Sequence, residues 1–249
     1  MHSLVLLRHG ESLWNLENRF TGWTDVPLTN NGILEAKNSG ILLKKEGFIF
    51  DLVYTSVLKR ANHTMKLCLK EMKLKKIPII YDWRLNERHY GSLQGLNKAE
   101  VANKFGEEKV LKWRRSFDIA PPPLDFNDKR HPKFDKKYNK LNSSQIPLSE
   151  CLEDTINRFM PLWIDKISKS IKSGKRVLIV AHGNSLRALV KFLDNMSNDE
   201  ILSLNIPTGI PLVYNLDIKL NPISKYYLGH EEEIAKNIDK VKNQTNQIK

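Results

Sequence analysis

Two stretches decide how this chain reads: LVLLRHGES, from Leu4 to Ser12, and VLIVAHGNS, from Val177 to Ser185. Each is an apolar run of four residues, one linking residue, then His-Gly, a polar residue and Ser. An apolar run that stops this abruptly is a buried strand leaving the core for a loop. Ligands of open α/β sheets bind at the carboxyl ends of the strands, so His9 and His182 are expected on one functional edge. The glycine after each histidine permits close backbone approach, and a helix N-terminus beyond it offers free N–H groups to an anion. A lone His-Gly is more often an ordinary loop. Two in matching positions point to a site.

Outward from these stretches, strand and helix alternate. After Leu4–Leu7 the pattern predicts a helix from Asn30 to Glu46, capped by Thr29 and stopped by Gly47, then a strand from Asp51 to Thr55. A helix from Lys59 to Lys73 and a strand from Ile77 to Tyr81 follow. Short helices are expected near Lys98–Phe105 and Glu107–Ser116. Residues 117–147 have no clear period and contain three consecutive prolines from Pro121 and a basic cluster from Lys129 to Lys140, which marks a candidate lid or binding loop. A helix from Glu150 to Lys172 should kink at Pro161. The strand Val177–Ala181, a helix from Ser185 to Asp194, a short helix after the Ser197/Glu200 capping box, and strands Leu212–Leu216 and Ser224–Leu228 complete the pattern. The expected fold is α/β, a mostly parallel central sheet flanked by helices on both faces.

The composition excludes several classes. A chain of 249 residues with 41% hydrophobic and 27% charged residues can fill a sizeable core, and the reading is one α/β domain over 1–249 with a C-terminal tail at 230–249. No window approaches the roughly 18 apolar residues of a membrane span. With only four apolar residues between Ser3 and Arg8, no signal peptide is expected either, and the expected location is cytoplasmic. Cys68 and Cys151 read as buried thiols. The balance of 40 basic against 28 acidic residues gives +12, mostly from lysines scattered over solvated helix faces. The arginines lie instead beside turns and histidines, where a planar guanidinium suits phosphate or carboxylate. A basic nucleic-acid module is the rival class, but no nucleic-acid motif appears and the aromatics are not interleaved with the cations.

Other site chemistries fare poorly. There is no GxxxxGK(S/T) loop, no GxGxxG and no GxSxG elbow, and too few carboxylates adjoin the histidines in sequence to argue for a metal. What remains is histidine as nucleophile, taking up a phosphoryl group and passing it on, with cations around the transferring oxygens and an acid/base beside the bridging one. Arg8, Arg60 and Glu87 follow strands at the same edge.

Beyond the paired loops, the blocks LVLLRHGESLWNLENRFTGWTDVPL, DLVYTSVLKRANHT from Asp51, LNERHYGSLQGLNK from Leu85, WRRSF from Trp113, VLIVAHGNSLRALVKFLDNMS from Val177 and LNIPTGIPLVYNLD from Leu204 resemble the cofactor-dependent phosphoglycerate mutases of the histidine phosphatase superfamily. The resemblance extends to about Gly229. It implies His9 as the phosphorylated nucleophile, His182 as its partner, and Arg8, Arg60 and Asn15 as phosphoryl-holding groups with Gly183 and Asn184. Glu87 would be the proton donor and acceptor. Ser12, Thr21, Gly22, Arg88, His89, Tyr90, Lys98, Arg114 and Arg115 would bind the rest of the substrate. The implied reaction interconverts 3-phosphoglycerate and 2-phosphoglycerate through bound 2,3-bisphosphoglycerate, which also primes the enzyme as cofactor; no metal is implied.

Bisphosphoglycerate mutases usually have Gly at the position of Ser12 and Cys at that of Thr21, so these two residues favour the glycolytic mutase. Synthase or phosphatase action on the same scaffold is the alternative. Related phosphatases generally lack the ERHYG and Trp-Arg-Arg blocks. Asn30-Asn31 and His230 depart from the common pattern, away from the chemistry. The resemblance further implies phosphoglycerates as partners, no nucleic acid or membrane, a homo-oligomer (dimer or tetramer), and a tail beyond Gly229 that covers the site.

Overall fold

The computed structural model describes residues 1–242. In chain order its first half contains β1 (His2–Arg8), α1 (Leu13–Leu16), α2 (Asn30–Lys45), β2 (Leu52–Thr55), α3 (Lys59–Glu71), β3 (Ile79–Tyr81), α4 (Lys98–Phe105) and α5 (Glu107–Arg115). Its second half contains α6 (Leu152–Leu162), α7 (Ser168–Lys172), β4 (Val177–Ala181), α8 (Gly183–Leu193), α9 (Glu200–Ser203), β5 (Pro211–Leu216), β6 (Pro222–Tyr227) and α10 (Glu231–Lys242). None of these helices is long and apolar enough to cross a membrane.

The strands form one sheet in the order β3-β2-β4-β1-β5-β6. The four strands from β3 to β1 run parallel, while β5 and β6 are antiparallel additions at one edge, so the sheet is mixed. The antiparallel edge follows from a tight hairpin, which parallel strands cannot use. There the Asp217 carboxylate accepts from the backbone N–H of Lys219 and Asn221 at 2.8 and 2.7 Å.

Successive residues of a strand face opposite sides. Leu4, Leu6, Tyr54 and Ile179 pack under Phe159, Trp163, Ile167, Leu186 and Leu189 of α6 to α8. Val5, Leu7, Val53, Leu178 and Val180 face Leu43 of α2 and Met65, Cys68 and Leu69 of α3. Both faces are thus covered. Pro161 has no N–H for the helical ladder and its ring crowds the preceding turn; a π-helical turn at Trp163–Ile167 follows it and carries the helix on into α7.

Residues 117–147 hold three short 3₁₀ turns rather than a featureless loop. Tyr138 is buried against Trp23 at 4.8 Å between ring centres and accepts from Asn86 Nδ2 at 3.0 Å. Lys137 pairs with Asp25 at 2.8 Å. These side chains tie the segment to the loop carrying Thr21 and Gly22.

Candidate active site

Arg8 stands opposite Ala181 in the β1–β4 register, so the two His-Gly loops leave the sheet side by side. The His9 and His182 rings lie 5.0 Å apart, nearly edge to face. Helix α8 begins immediately after His182, two residues earlier than the sequence pattern predicts, which places the N–H groups of its first turn in the site.

The loop carrying His9 is pressed against the start of α2. A Cβ on Gly10 would lie 2.2 Å from the Gly32 carbonyl oxygen, and one on Gly32 would lie 2.0 Å from that of Glu11. Only glycine fits at either contact. Gly10 N–H donates to Thr64 Oγ1 at 3.0 Å, and Glu11 N–H to Glu35 at 2.7 Å, which fixes the loop.

His9 is 2% exposed, with Nδ1 2.7 Å from the Gly10 carbonyl oxygen. A carbonyl only accepts, so Nδ1 carries the proton and Nε2 keeps the lone pair. Arg60 Nε donates to that Nε2 at 3.3 Å, while its other nitrogens donate to the carbonyls of Thr24 and Gly22 at 2.9 and 2.8 Å. Burial, reinforced by the Arg60 and Arg8 guanidinium groups, holds the His9 pKa well below its ordinary value. A neutral, fixed imidazole results. His182 is fully buried and pushed down by the same causes, with Nε2 2.7 Å from Ser56 Oγ and Nδ1 without a partner.

Glu87 lies at the positive end of α8, where its Oε1 accepts from the N–H of Asn184 at 3.1 Å and of Arg88 at 2.8 Å. The Asn184 amide donates to Tyr90 Oη at 3.2 Å. Arg8 Nη1 donates to the Ile206 carbonyl at 2.7 Å, which leaves its buried Nε unpartnered. Arg115 donates to Asn205 Oδ1 at 2.6 Å.

Of the residues expected in the site, the structure brings Arg8, His9, Asn15, Thr21, Arg60, Glu87, Tyr90, Lys98, Arg114, Arg115, Gly183 and Asn184 around one cavity. The others stand behind it. Ser12 caps α1 and donates to Asn15 Oδ1 at 2.8 Å, leaving that amide's nitrogen for a ligand. Gly22 contributes a carbonyl to Arg60. Arg88 is fully buried, donates to the Arg114 carbonyl and lies 5.0 Å over the Tyr90 ring, so it supports two wall residues from beneath.

His89 turns away from the cavity. Its N–H donates to Glu150 at 2.7 Å, its Nδ1 accepts from Gly91 N–H at 3.1 Å, and burial beside His131 and Arg158 lowers its pKa to about 3. It therefore supports the loop that presents Glu87 and Tyr90. Glu150 in turn pairs with Arg158 at 2.5 Å, and Arg158 donates to the Glu87 carbonyl at 2.9 Å.

Four wall residues escape the sequence reading: Arg19, Arg187, Asn205 and Ile206. Arg187 had a usable signal, since it is three residues after Asn184 on one helix face. Val241 belongs to α10, which Lys240 ties to Glu11 at 2.7 Å. The tail expected over the site thus reaches it at Val241, while its last residues, 243–249, lie outside the described residues. No residue of 117–147 lines the cavity.

The electrostatics are one-sided. Arg8, Arg60, Arg88, Lys98, Arg114 and Arg187 are all buried, and Glu87 is the only carboxylate among the described residues of the cavity wall. Burial, with neighbouring cations, lowers Arg114 to about 10 and Lys98 well below its ordinary value. No group of three or more His, Cys, Asp or Glu side chains suited to a metal occurs among the described residues. This arrangement can bind a polyanion, attack it through His9 Nε2 and exchange a proton through Glu87.

Comparison with solved structures finds the same fold. A mycobacterial glucosyl-3-phosphoglycerate phosphatase is 23% identical with a TM-score of 0.66, over 86% of this chain and 93% of that one. A putative alpha-ribazole-5'-P phosphatase from Escherichia coli is 22% identical with a TM-score of 0.68, over 92% and 98%. Bacillus stearothermophilus YhfR is 25% identical with a TM-score of 0.66, over 86% and 91%. The profile of the histidine phosphatase superfamily (branch 1), a family of phosphoryl-transfer enzymes, matches residues 4–126 and 123–216. By that match the chain belongs to the histidine phosphatase superfamily, branch 1.

Proposed function

We propose that this enzyme is a cofactor-dependent phosphoglycerate mutase. The observation that carries the reading is the distribution of cations. Arg8 and Arg60 flank His9 and suffice for one phosphoryl group, yet Arg114 and Arg115 also line the cavity, where Glu87 is the only carboxylate among the described wall residues. Uncompensated buried charge is costly, so these groups call for a second anionic function on the same ligand. A phosphoglycerate provides it, as carboxylate or second phosphate.

Bound 2,3-bisphosphoglycerate fits the unpartnered buried nitrogens, Arg8 Nε and His182 Nδ1, the latter a donor when Ser56 Oγ donates to Nε2, and would supply the phosphoryl group that first primes His9. The residues then act as follows. His9 Nε2 carries the phosphoryl group, with Arg8, Arg60 and His182 placed to donate to its oxygens. As the substrate's free hydroxyl attacks phosphorus, the P–N bond breaks and Glu87 takes the hydroxyl proton. In the reverse step the other phosphoryl group returns to His9 and Glu87 gives the proton back. A cytoplasmic homo-oligomer is part of the same reading.

A second reading, bisphosphoglycerate synthase or phosphatase action, is favoured by one feature: the only ion pair joining α10 to the rest of the described structure is Lys240–Glu11, whose lysine is half exposed. A loose cover admits water to phosphohistidine. Incubation with 2,3-bisphosphoglycerate, followed by intact-mass analysis, should show one acid-labile phosphoryl group, absent in His9→Ala. Mutase turnover in excess of hydrolysis then selects the first reading, and hydrolysis in excess the second. Acid-stable labelling, or labelling of His9→Ala, overturns both.

A further inference from the structure

Three guanidinium groups from three elements rest on one short segment. Arg187 of α8 donates to the Ile201 carbonyl at 2.6 Å, Arg115 of α5 to the Leu204 carbonyl at 3.4 Å and Asn205 Oδ1 at 2.6 Å, and Arg8 of β1 to the Ile206 carbonyl at 2.7 Å. These acceptors are all neutral. A carboxylate in their place would hold the arginines more strongly, but it would also neutralise them and compete with an anionic ligand. Carbonyls fix the guanidinium planes and leave their charge to the cavity.

Arg187 joins this segment to the catalytic loop. It is 3% exposed, and besides Ile201 it donates through Nη1 to Asn184 Oδ1 at 2.8 Å. That bond settles which way the Asn184 amide points: with the oxygen held by Arg187, the nitrogen faces Tyr90 Oη at 3.2 Å. The Asn184 backbone N–H meanwhile holds Glu87. Buried Nε of Arg187 has no partner.

Resting on the mutase reading for the ligand's chemistry, we infer that Arg187 is a positioning residue that sets the part of the cavity away from His9 for the substrate's second anionic group. It does so by orienting the Asn184 amide and by bracing the segment at Ile201, on the side of Leu204 and Asn205 that holds Arg115. It adds no group to the phosphoryl-transfer step itself.

The test compares Arg187→Met and Arg187→Lys with wild type by calorimetric binding of 3-phosphoglycerate and, separately, of inorganic phosphate, which needs only the His9 end. Removing a buried charged hydrogen-bond donor should weaken 3-phosphoglycerate binding by roughly tenfold or more. Phosphate binding should change by less than about threefold, with Arg187→Lys between the two enzymes, KM rising more than kcat falls. Combined with Asn184→Ala, the Arg187→Met loss should shrink, because one residue acts through the other. Equal weakening of both ligands, no weakening of either, or full additivity with Asn184→Ala overturns the role. Failure of the mutase reading looks different: wild type would lack isomerase turnover, whatever the ratio of the two affinities in the variants.

Discussion

With its Nδ1 proton given to the Gly10 carbonyl, His9 keeps the Nε2 lone pair facing Arg60, and its low pKa means acid does not readily remove that lone pair. The same depression has a cost in stability. Unfolded histidine titrates near 6.5, whereas native His9 and His182 stay neutral well below that value. Between those limits the unfolded chain binds more protons than the native one, so stability rises with pH and is lost as pH falls below about 6.5. The melting temperature should therefore drop between about pH 7 and 5, less steeply in His9→Asn. An identical slope in both proteins counts against the assignment. For Glu87, Glu87→Gln should lower turnover by roughly 10²- to 10⁴-fold with little change in substrate affinity. Near-normal turnover in that variant moves the proton transfer to another group.

Among the elements, those built on strong periodicity were legible: the paired strands, α2 with its Thr29 cap, α3, and the helices α4 and α5. The start of α8 was not, because an N-capping histidine has no distinctive local pattern and the site needs the helix to begin at Gly183. Residues 117–147 were opaque because their order comes from distant partners such as Trp23 and Asn86. Most of the cavity wall was legible through the resemblance, whereas His89 was misplaced since a loop's neighbours do not reveal which side chain turns inward. Gly32 shows tertiary contact overriding propensity. Gly32 lies in the first turn of α2, where Gly→Ala would ordinarily stabilise by up to about 1 kcal/mol. Here the new Cβ would meet the Glu11 carbonyl oxygen at 2.0 Å, backbone against backbone. The expected net effect is a loss of roughly 1–3 kcal/mol and slower phosphorylation of His9, two residues before Glu11. A melting temperature at or above wild type would show that the contact relaxes freely.

At the scale of the whole molecule, the +12 net charge and the cluster of buried cations act in the same direction. The surface charge draws anions in, and the cavity holds those that bring enough negative groups to neutralise it. Burial first, and neighbouring cations second, lower the pKa of Arg114 and Arg187, the latter to about 9, so the cavity favours a ligand that brings negative charge. A ligand that binds only the native state stabilises it by about 2.7 kcal/mol at a hundredfold excess over its Kd. For a chain of this size each kcal/mol shifts the melting temperature by roughly 2–4 °C. Saturating 2,3-bisphosphoglycerate should then raise it by roughly 5–10 °C, 3-phosphoglycerate by less, and inorganic phosphate least at equal concentration. Sodium chloride at matched ionic strength separates binding from screening, because screening acts on exposed charges within a Debye length and barely reaches buried ones. If the arginines rather than a metal compensate the phosphates, as proposed, the order survives exhaustive chelation. If chloride stabilises as much as the bisphosphate, the cavity does not discriminate among anions, and the surplus charge serves solubility alone.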